Sequence, residues 1–373
     1  MSVKFPVALE SATSFPTPTI LASPKSRLRF LTLKNQLSAY TEHCIFTKNG
    51  RGAIAIAGEA LKRDGENIIL IPAYHCPALV EPFIWLNYTV IFYPVLPDLS
   101  TDLGVLNALL IEERVTHCVV IRYFGFEQNI NEVELMLKQH NISIIEDCAH
   151  AFFAFHNNIL TEGSAADAQI CSINKLLPSI DGGGLYIPKH SLPTLYPRSW
   201  LSEIKGILHT LGISQRLLKF KKPNTNSTLS KASSVDATKF RYFMPDEKHA
   251  ASYRHTKWLA KYSRLNKIKQ RRRDNFAYLI SELKNCKAGK SLYTELKTNE
   301  VPYVLPFLLD DVEYFKALRM KGIQVLRWEE IAESSCSVSA DYKERLVQLP
   351  CHHQMSKAEM NGLIQSITEL GEI

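Results

Sequence analysis

Several features that would assign the chain to a particular class are absent from its 373 residues. No apolar run approaches the ~20 residues that a membrane-spanning helix needs. The N-terminal stretch contains Glu10 and several prolines, and it lacks the continuous apolar region of a signal peptide. The eight cysteines form no C-x-x-C pair, which favours reduced thiols over disulfides or a zinc site. We therefore expect a soluble cytoplasmic protein with no membrane or nucleic-acid partner and no metal.

The composition that remains is that of an ordinary globular protein, with 46% hydrophobic and 22% charged residues. The chain is too long for one small core, so two domains are expected. We place a large α/β domain at 1–245, including a basic, aperiodic loop at 219–234, and a smaller α+β domain at 246–373. The net charge of +7 is concentrated between Lys205 and Arg273. This region is either a solvated face or an attraction for a phosphorylated substrate.

From about residue 45 to 190, short apolar runs alternate with helical stretches, which predicts βαβ units and a mainly parallel sheet. Helical spacing marks Ala53–Lys62 and Val133–His140, and a long basic helix is expected at Lys248–Leu283. Further strands are expected in the C-terminal segments V-P-Y-V-L-P-F-L-L and G-I-Q-V-L-R-W. The strands expected in the large domain are Asn67–Ile71, Thr89–Val95, Thr116–Ile121, Ile142–Glu146, Ala168–Ser172 and Gly182–Ile187.

A carboxylate ends one of these strands, in the segment I-I-E-D-C-A-H. The carboxyl ends of parallel strands face the ligand crevice of an open α/β sheet. If side chains alternate, Asp147 and Glu146 point to opposite faces of the sheet. Asp147 can then pair with a protonated ring nitrogen of a cofactor. The alternative is an ordinary helix cap.

A lysine follows the next predicted strand, in the segment Ser172-Ile173-Asn174-Lys175. Burial lowers the pKa of a lysine, so Lys175 can act as a nucleophile toward a carbonyl group. The hydroxyl of Ser172 can donate to a phosphate. A surface lysine in a loop is the alternative. The glycines that follow at 182–184 allow a close backbone approach and weaken that alternative.

Two glycines open the first predicted helix, in the segment Asn49-Gly50-Arg51-Gly52. The N–H groups at a helix start have no intrahelical acceptor, and glycines let a ligand come close to them. This segment can therefore bind a phosphate. A plain glycine-containing turn is the alternative.

Taken in order, four segments resemble the DegT/DnrJ family of sugar aminotransferases, which depend on pyridoxal 5′-phosphate (PLP). The segments are N-G-R-G-A-I, P-A-Y-H-C-P, E-D-C-A-H-A and S-I-N-K-L-L-P-S-I-D-G-G-G. I-Q-V-L-R-W and V-Q-L-P-C-H extend the resemblance to the C-terminal domain. The resemblance implies fold type I of the aspartate aminotransferase superfamily. It also implies a mainly parallel central sheet, a smaller C-terminal α+β domain and a homodimer.

The resemblance implies a role for each residue around the cofactor ring. Lys175 would hold PLP as a Schiff base and then move a proton during transamination. Asp147 would pair with the pyridine nitrogen, and His150 would lie near the ring and its 3′-oxygen. Tyr74 or His75 would stack on the ring.

The resemblance also implies that the phosphate is held by Ser172 and by the N–H groups of Gly50, Arg51 and Gly52. The family's hydroxyl side chain in this loop is missing, and the charge of Arg51 is a substitute. The family's Gly-Tyr-Asn-Tyr-Arg segment, which reaches the neighbouring subunit's cofactor, is replaced by F-R-Y-F-M. Arg241 is the replacement available there.

The expected reaction is ping-pong transamination from an amino acid, glutamate by the family's habit, to a keto sugar that is nucleotide-linked. The product would enter polysaccharide or glycoconjugate biosynthesis. A lyase reaction, or a non-sugar carbonyl substrate on the same scaffold, is an alternative. A catalytically inactive binding protein is another alternative, and Asp147, Ser172 and Lys175 together argue against it.

Overall fold

The computed structural model describes residues 3–6, 15–24, 30–34, 44–161, 164–188, 193–210 and 240–372. The loop predicted at 219–234 lies outside these residues.

A seven-stranded sheet forms the centre of the N-terminal part of the chain. Its strand order is β1-β7-β6-β5-β4-β2-β3. Only β7 runs antiparallel to its neighbours. The fold expectation of a mainly parallel central sheet is therefore confirmed. The strands are β1 (Ile45–Thr47), β2 (Ile68–Pro72), β3 (Thr89–Tyr93), β4 (His117–Ile121), β5 (Ser143–Cys148), β6 (Ala168–Ser172) and β7 (Gly183–Tyr186).

Helices follow the strands of this sheet, as parallel connections require. Each residue of β2 and of β4 is buried, which is typical of strands that are covered on both faces. In α4 the apolar residues Ile130, Val133 and Leu137 recur at helical spacing and are buried. The helices are α1 (Gly50–Leu61), α2 (Pro77–Trp85), α3 (Leu103–Glu112), α4 (Ile130–Gln139), α5 (Phe152–Thr161), α6 (Ile173–Leu176) and α7 (Trp200–Thr210).

A second, antiparallel sheet lies in the C-terminal part, with the order β10-β9-β8. It agrees with the smaller α+β unit expected there. Its strands are β8 (Gly289–Ser291), β9 (Val304–Leu309) and β10 (Leu346–Pro350). The helices of this part are α8 (Arg254–Tyr262), α9 (Leu265–Leu283), α10 (Glu313–Met320), α11 (Ser337–Arg345) and α12 (Lys357–Thr368).

The long helix predicted over Lys248–Leu283 is wrong, because the chain breaks between α8 and α9. Backbone groups at the break bond to an N-terminal segment instead of continuing a helix. The Thr32 N–H donates to Tyr262 O at 2.7 Å, and the Arg264 N–H donates to Phe30 O at 2.6 Å. A periodicity argument cannot detect an acceptor more than two hundred residues away in the sequence.

The segment I-Q-V-L-R-W is also not a strand of either sheet. Its backbone makes isolated bridges instead, from Ile323 to Ile20 and from Leu326 to Gln348. The Ile20 bridge joins residues near the start of the chain to the C-terminal part. The domain boundary between 245 and 246 stays a prediction.

Candidate active site

Strand register brings three predicted segments to one edge of the large sheet. Ser172 at the end of β6 pairs with Gly183 of β7, and Gly183 pairs with Thr47 of β1. Thr47 comes just before α1, so the start of that helix lies beside the end of β6. On the other side of β6, Asp147 of β5 pairs with Ile170. The sheet therefore collects the acid, the serine and the helix start, with the lysine following in α6.

The start of α1 and Ser172 form a cradle for an anion. Asn49 caps the helix by accepting the Gly52 N–H on its side chain at 3.0 Å. Within the described part of the chain, the N–H groups of Gly50 and Arg51 have no hydrogen-bond acceptor. A Cβ added to Gly50 would lie 2.8 Å from Ser172 Oγ, so the helix start approaches the hydroxyl closely. Free N–H groups with a hydroxyl donor fit a phosphate.

Lys175 lies in α6, directly after β6, with its side chain only partly exposed. Burial lowers the pKa of Lys175, and the nearby charge of Arg51 lowers it further. Cys76 and the Asp147 carboxylate act in the opposite direction and raise this pKa. A larger share of Lys175 is therefore neutral, as a nucleophilic amine must be.

Asp147 is a buried acid in electrostatic contact with Lys175. The residue is 8% exposed, and its Oδ1 accepts the Ala149 N–H at 2.7 Å. Burial raises the pKa of Asp147, while the Ala149 N–H and Lys175 lower it. Glu146 instead forms an ion pair with Arg122. The expected alternation along β5 is therefore seen in the contacts.

The His150 ring lies between the rings of Phe124 and Tyr303, with centroid distances of 5.3 and 4.6 Å. Its Nδ1 is buried and has no hydrogen-bond partner among the residues described. Burial and the charge of Lys175 hold the pKa of His150 well below its usual range. The ring is therefore neutral, and its Nδ1 is free to meet an oxygen of a ligand.

Tyr74 and His75, the two rings proposed for stacking, lie among aromatic side chains of the core. The Tyr74 ring packs against Trp328 at a centroid distance of 4.8 Å, and its hydroxyl is buried without a partner among the described residues. The His75 ring is parallel to Phe92 at 4.7 Å, and its Nδ1 lies 3.1 Å from Pro72 O. The stacking role of either ring therefore stays a prediction.

Cys76, the next residue, is the member of this segment that reaches the site. It occupies the N-cap position of α2 without a side-chain capping bond, and it interacts electrostatically with Lys175, Asp147 and Arg51. Burial raises the pKa of Cys76, whereas Lys175 and Arg51 lower it. Sequence reasoning did not select it. Its place four residues after the end of β2, at the carboxyl edge that also holds Asp147, was the available signal.

Arg241 contacts two carboxylates of its own chain, Glu330 and Glu81. Its guanidinium forms an ion pair with Glu330 of the same chain. Its backbone N–H donates to Glu81 at 3.0 Å, and the next two N–H groups donate to the same carboxylate. The pairing with Glu330 must open before Arg241 can meet a phosphate.

The polar groups at this edge of the sheet fit PLP. The cradle of Gly50, Arg51 and Ser172 would hold the phosphate. Asp147 would face the ring nitrogen, and the orphaned Nδ1 of His150 would meet a ring oxygen. Lys175 would attach the aldehyde carbon.

Comparison with known proteins agrees with this chemistry. Residues 30–193 match the model of the DegT/DnrJ/EryC1/StrS aminotransferase family. The chain is 24% identical over 348 residues to dTDP-3-amino-3,6-dideoxy-alpha-D-galactopyranose transaminase of Aneurinibacillus thermoaerophilus, covering 88% of this chain and 86% of the relative. It is 25% identical over 146 residues to L-glutamine:2-deoxy-scyllo-inosose aminotransferase of Streptomyces lividus, covering 38% of this chain and 34% of that protein.

Solved structures share the fold at low sequence identity. Helicobacter pylori PseC, an aminotransferase involved in the biosynthesis of pseudoaminic acid, superposes with a TM-score of 0.63 and 15% identity over 96% of this chain and all of that chain. A DegT DnrJ EryC1 StrS aminotransferase from Brucella abortus superposes with a TM-score of 0.61 and 15% identity, covering 91% of this chain and 92% of that one.

Proposed function

We propose that this chain transfers the amino group of an amino acid to a keto sugar. The premise is that the chain belongs to the DegT/DnrJ/EryC1/StrS aminotransferase family and is a PLP-dependent aminotransferase. L-glutamate is the proposed donor and a nucleotide-linked sugar the proposed acceptor. We place the reaction in the cytoplasm, in polysaccharide or glycoconjugate biosynthesis, and assign it to a homodimer.

The observation that supports the assignment of roles is the convergence of Lys175, Asp147 and the anion cradle at one sheet edge. Each of these groups has a counterpart on the cofactor: an aldehyde, a ring nitrogen and a phosphate. A plain surface lysine would have an ordinary pKa. The pKa of Lys175 is instead lowered by burial, while the charge of the buried Asp147 acts on it in the opposite direction.

When bound, PLP supplies an aldehyde that takes up the amino group and a ring that accepts electrons. We assign the remaining work to side chains of this chain. Lys175 would hold the cofactor through Nζ and would then move a proton to and from the substrate carbon. Asp147 keeps the proton on the ring nitrogen, because a negative carboxylate in a buried site favours the positive ring. The rings of Phe124 and Tyr303 hold His150 in place and exclude water.

The proposed acceptor rests on the relatives' names. The Aneurinibacillus enzyme is named for a dTDP-linked amino sugar, which supports a nucleotide-linked sugar here. The Streptomyces protein is named for L-glutamine and a cyclitol ketone, so glutamine is the donor to test beside glutamate.

Two measurements test the proposal. Borohydride reduction of the PLP-loaded protein should fix the cofactor to a single peptide that contains Lys175, and Lys175→Ala should abolish this label. Lys316→Ala, which changes an exposed lysine of α10, should keep it. Incubation with ¹⁵N-labelled glutamate or glutamine and a panel of nucleotide-linked keto sugars should give a ¹⁵N-amino sugar. A borohydride label on another lysine refutes the assigned attachment site. Loss of ¹⁵N from the amino acid without formation of a ¹⁵N-amino sugar refutes the proposed acceptor.

A further inference from the structure

Arg272 of α9 is the largest fully buried side chain of the described residues, with 1% of its surface exposed. Its neighbour in the run of three arginines, Arg271, is exposed instead. Removing a charged side chain from water is costly unless the charge is paired and hydrogen-bonded. Within the described residues Arg272 pairs with no carboxylate, and its Nε and Nη2 are buried without a hydrogen-bond partner. A buried cation with so little compensation calls for an explanation other than stability.

The hydrogen bonds that Arg272 does make go to the backbone of one segment. Its Nη1 donates to Pro302 O at 3.1 Å and to Tyr303 O at 2.8 Å. The Tyr303 N–H in turn donates to Phe124 O at 2.7 Å. Arg272 therefore holds the segment around Tyr303, and this segment is bonded to the turn that contains Phe124.

The side chains of Tyr303 and Phe124 cover the two faces of the His150 ring. The Tyr303 ring is inclined by 23° to the His150 ring, and the Phe124 ring by 19°. The charge of Arg272 also reaches Tyr303, because it lowers the pKa of that hydroxyl against the effect of burial. The orientation of His150 therefore depends on where the backbone places these two rings.

The turn on the Phe124 side of His150 is strained. Phe124 has a φ of 56°, a left-handed conformation that a bulky residue adopts rarely. A Cβ added to the next residue, Gly125, would lie 2.2 Å from Val301 O, so the turn and the segment before Tyr303 are in close contact. Strain of this kind persists where the surroundings enforce it, and it clusters at functional sites.

We propose that Arg272 is a positioning residue of the active site. By holding the backbone of Pro302 and Tyr303, it keeps the His150 ring in the orientation in which the buried Nδ1 meets PLP. This role rests on the one assigned to His150 under the proposed function. Arginine suits it because a charged N–H donor binds carbonyl oxygens more strongly than a neutral donor does.

The next residue of α9 offers a matched control. The Nη1 of Arg273 donates to Lys297 O at 2.7 Å and to Glu300 O at 2.5 Å. Arg273 thus holds the same connection through the same kind of bond, but at residues that precede Pro302 and Tyr303. Loss of Arg273 tests what backbone support alone contributes.

PLP titration of the cofactor-free full-length protein tests the proposal. Arg272→Met should raise the dissociation constant of PLP about fivefold, because the hydrogen bond from His150 is weakened. It should also move the pH midpoint at which the visible absorbance of bound PLP changes, by about half a unit or more. Arg272→Lys keeps a cation with N–H donors and should restore most of both values. Arg273→Met should lower the melting temperature and leave both values unchanged.

A double-mutant cycle tests whether Arg272 acts through His150. His150→Phe keeps a flat ring between Phe124 and Tyr303 but has no ring nitrogen. In that background Arg272→Met should change neither the dissociation constant nor the absorbance further. Additive effects would overturn the proposal, as would an Arg272→Met variant with the parent's values or an Arg273→Met variant that shifts the absorbance equally.

Circular dichroism and a melting curve establish that each variant is folded. If Arg272→Met does not fold, Tyr303→Leu takes its place in the cycle, because it removes the ring that Arg272 positions. An unchanged affinity for PLP in Tyr303→Leu would then overturn the proposal. These readouts require bound PLP but no turnover. Absence of a ¹⁵N-amino sugar would therefore refute the proposed function alone, whereas parent-like absorbance of Arg272→Met in an active aminotransferase would refute only the role of Arg272.

Discussion

Burial and mutual attraction have opposite effects on the ionisation of Lys175 and Asp147. For each of them burial favours the neutral form, and the other's charge favours the ionised form. Such opposition is common where a protein keeps charged groups for chemistry rather than stability. Both residues can therefore be tested by thermodynamic as well as catalytic measurements.

Asp147→Asn should raise the melting temperature of the cofactor-free protein near pH 7. Burial raises the pKa of Asp147 above its ordinary value of 3.8, so the folded chain binds this proton more readily than the unfolded chain. The resulting stabilisation is fully present below the ordinary pKa and is lost as the pH rises through the raised one. A neutral Asn side chain does not lose this stabilisation. The difference in melting temperature between variant and parent should therefore shrink toward acid pH. With PLP bound, we expect a drop in transamination of about a hundredfold or more. A lower melting temperature of the cofactor-free variant at pH 7 would contradict the argument.

Ser172→Ala should weaken PLP binding about ten- to a hundredfold, because it removes one hydrogen bond to a charged phosphate. Absorbance titration of the cofactor-free protein measures the dissociation constant. Ser281→Ala is a suitable control, since that hydroxyl bonds to Tyr278 O on the exposed side of α9. Equal affinities for the two variants would remove Ser172 from the cradle.

At the scale of elements, the cradle depends on how closely β7 approaches the turn before α1. Gly183 pairs with Thr47, and a Cβ added to Gly183 would lie 2.4 Å from both the C and the O of Asn49. Backbone atoms cannot move aside as the end of a side chain can. The start of α1 and β7 therefore fit together only with glycine at this position.

Gly183→Ala should lower the free energy of unfolding by about 1 to 3 kcal/mol, because it overpacks this contact. It should also weaken PLP binding, because the helix start moves away from Ser172. Gly362→Ala is the matched control in α12, where the nearest atom to an added Cβ is Ile20 Cδ1 at 3.7 Å. A glycine inside a helix costs about 0.5 to 1 kcal/mol relative to alanine, so this control should be stabilised. Urea unfolding measures the free energy of unfolding of both variants. An unchanged value for Gly183→Ala would show that the turn before α1 moves aside, which contradicts the argument.

At the scale of the whole molecule, burial of neutral histidines makes folding sensitive to acid. The pKa values of His75 and His117 are both lowered by burial to about 4. His117 is held by Leu61 O at 2.8 Å and by the Thr116 hydroxyl at 2.7 Å. The unfolded chain takes up these protons near pH 6.5, whereas the folded chain does not.

The free energy of unfolding should therefore fall as the pH drops from 6.5 toward 4, by up to about 3 kcal/mol for each histidine. Below that range these histidines are protonated in both the folded and the unfolded chain, so they lower the free energy of unfolding no further. His117→Gln keeps a neutral polar side chain and should lose less stability between pH 7 and pH 5 than the parent. Urea unfolding at the two pH values measures the difference. Equal losses for variant and parent would exclude His117 as a source of the acid sensitivity.

The sequence by itself determined the features that depend on near neighbours. Strand β6 has the predicted bounds, Ala168–Ser172, because residues between two turns that alternate with predicted helices favour a strand of a parallel sheet. The order of Asp147, Ser172 and Lys175 after successive parallel strands predicted their common edge, since parallel strands all end on one side. That rule needs no knowledge of the distant chain.

Only the tertiary structure decided the features that depend on distant partners. It placed Cys76 in electrostatic contact with Lys175 and packed His75 against Phe92. It separated α8 from α9 through backbone bonds to residues 30 and 32, and it turned the small, polar side of α7 inward. Periodicity shows that a helix has an apolar side, but not what that side will meet. The contacts that decide which side of a helix is buried come from residues far away in the sequence.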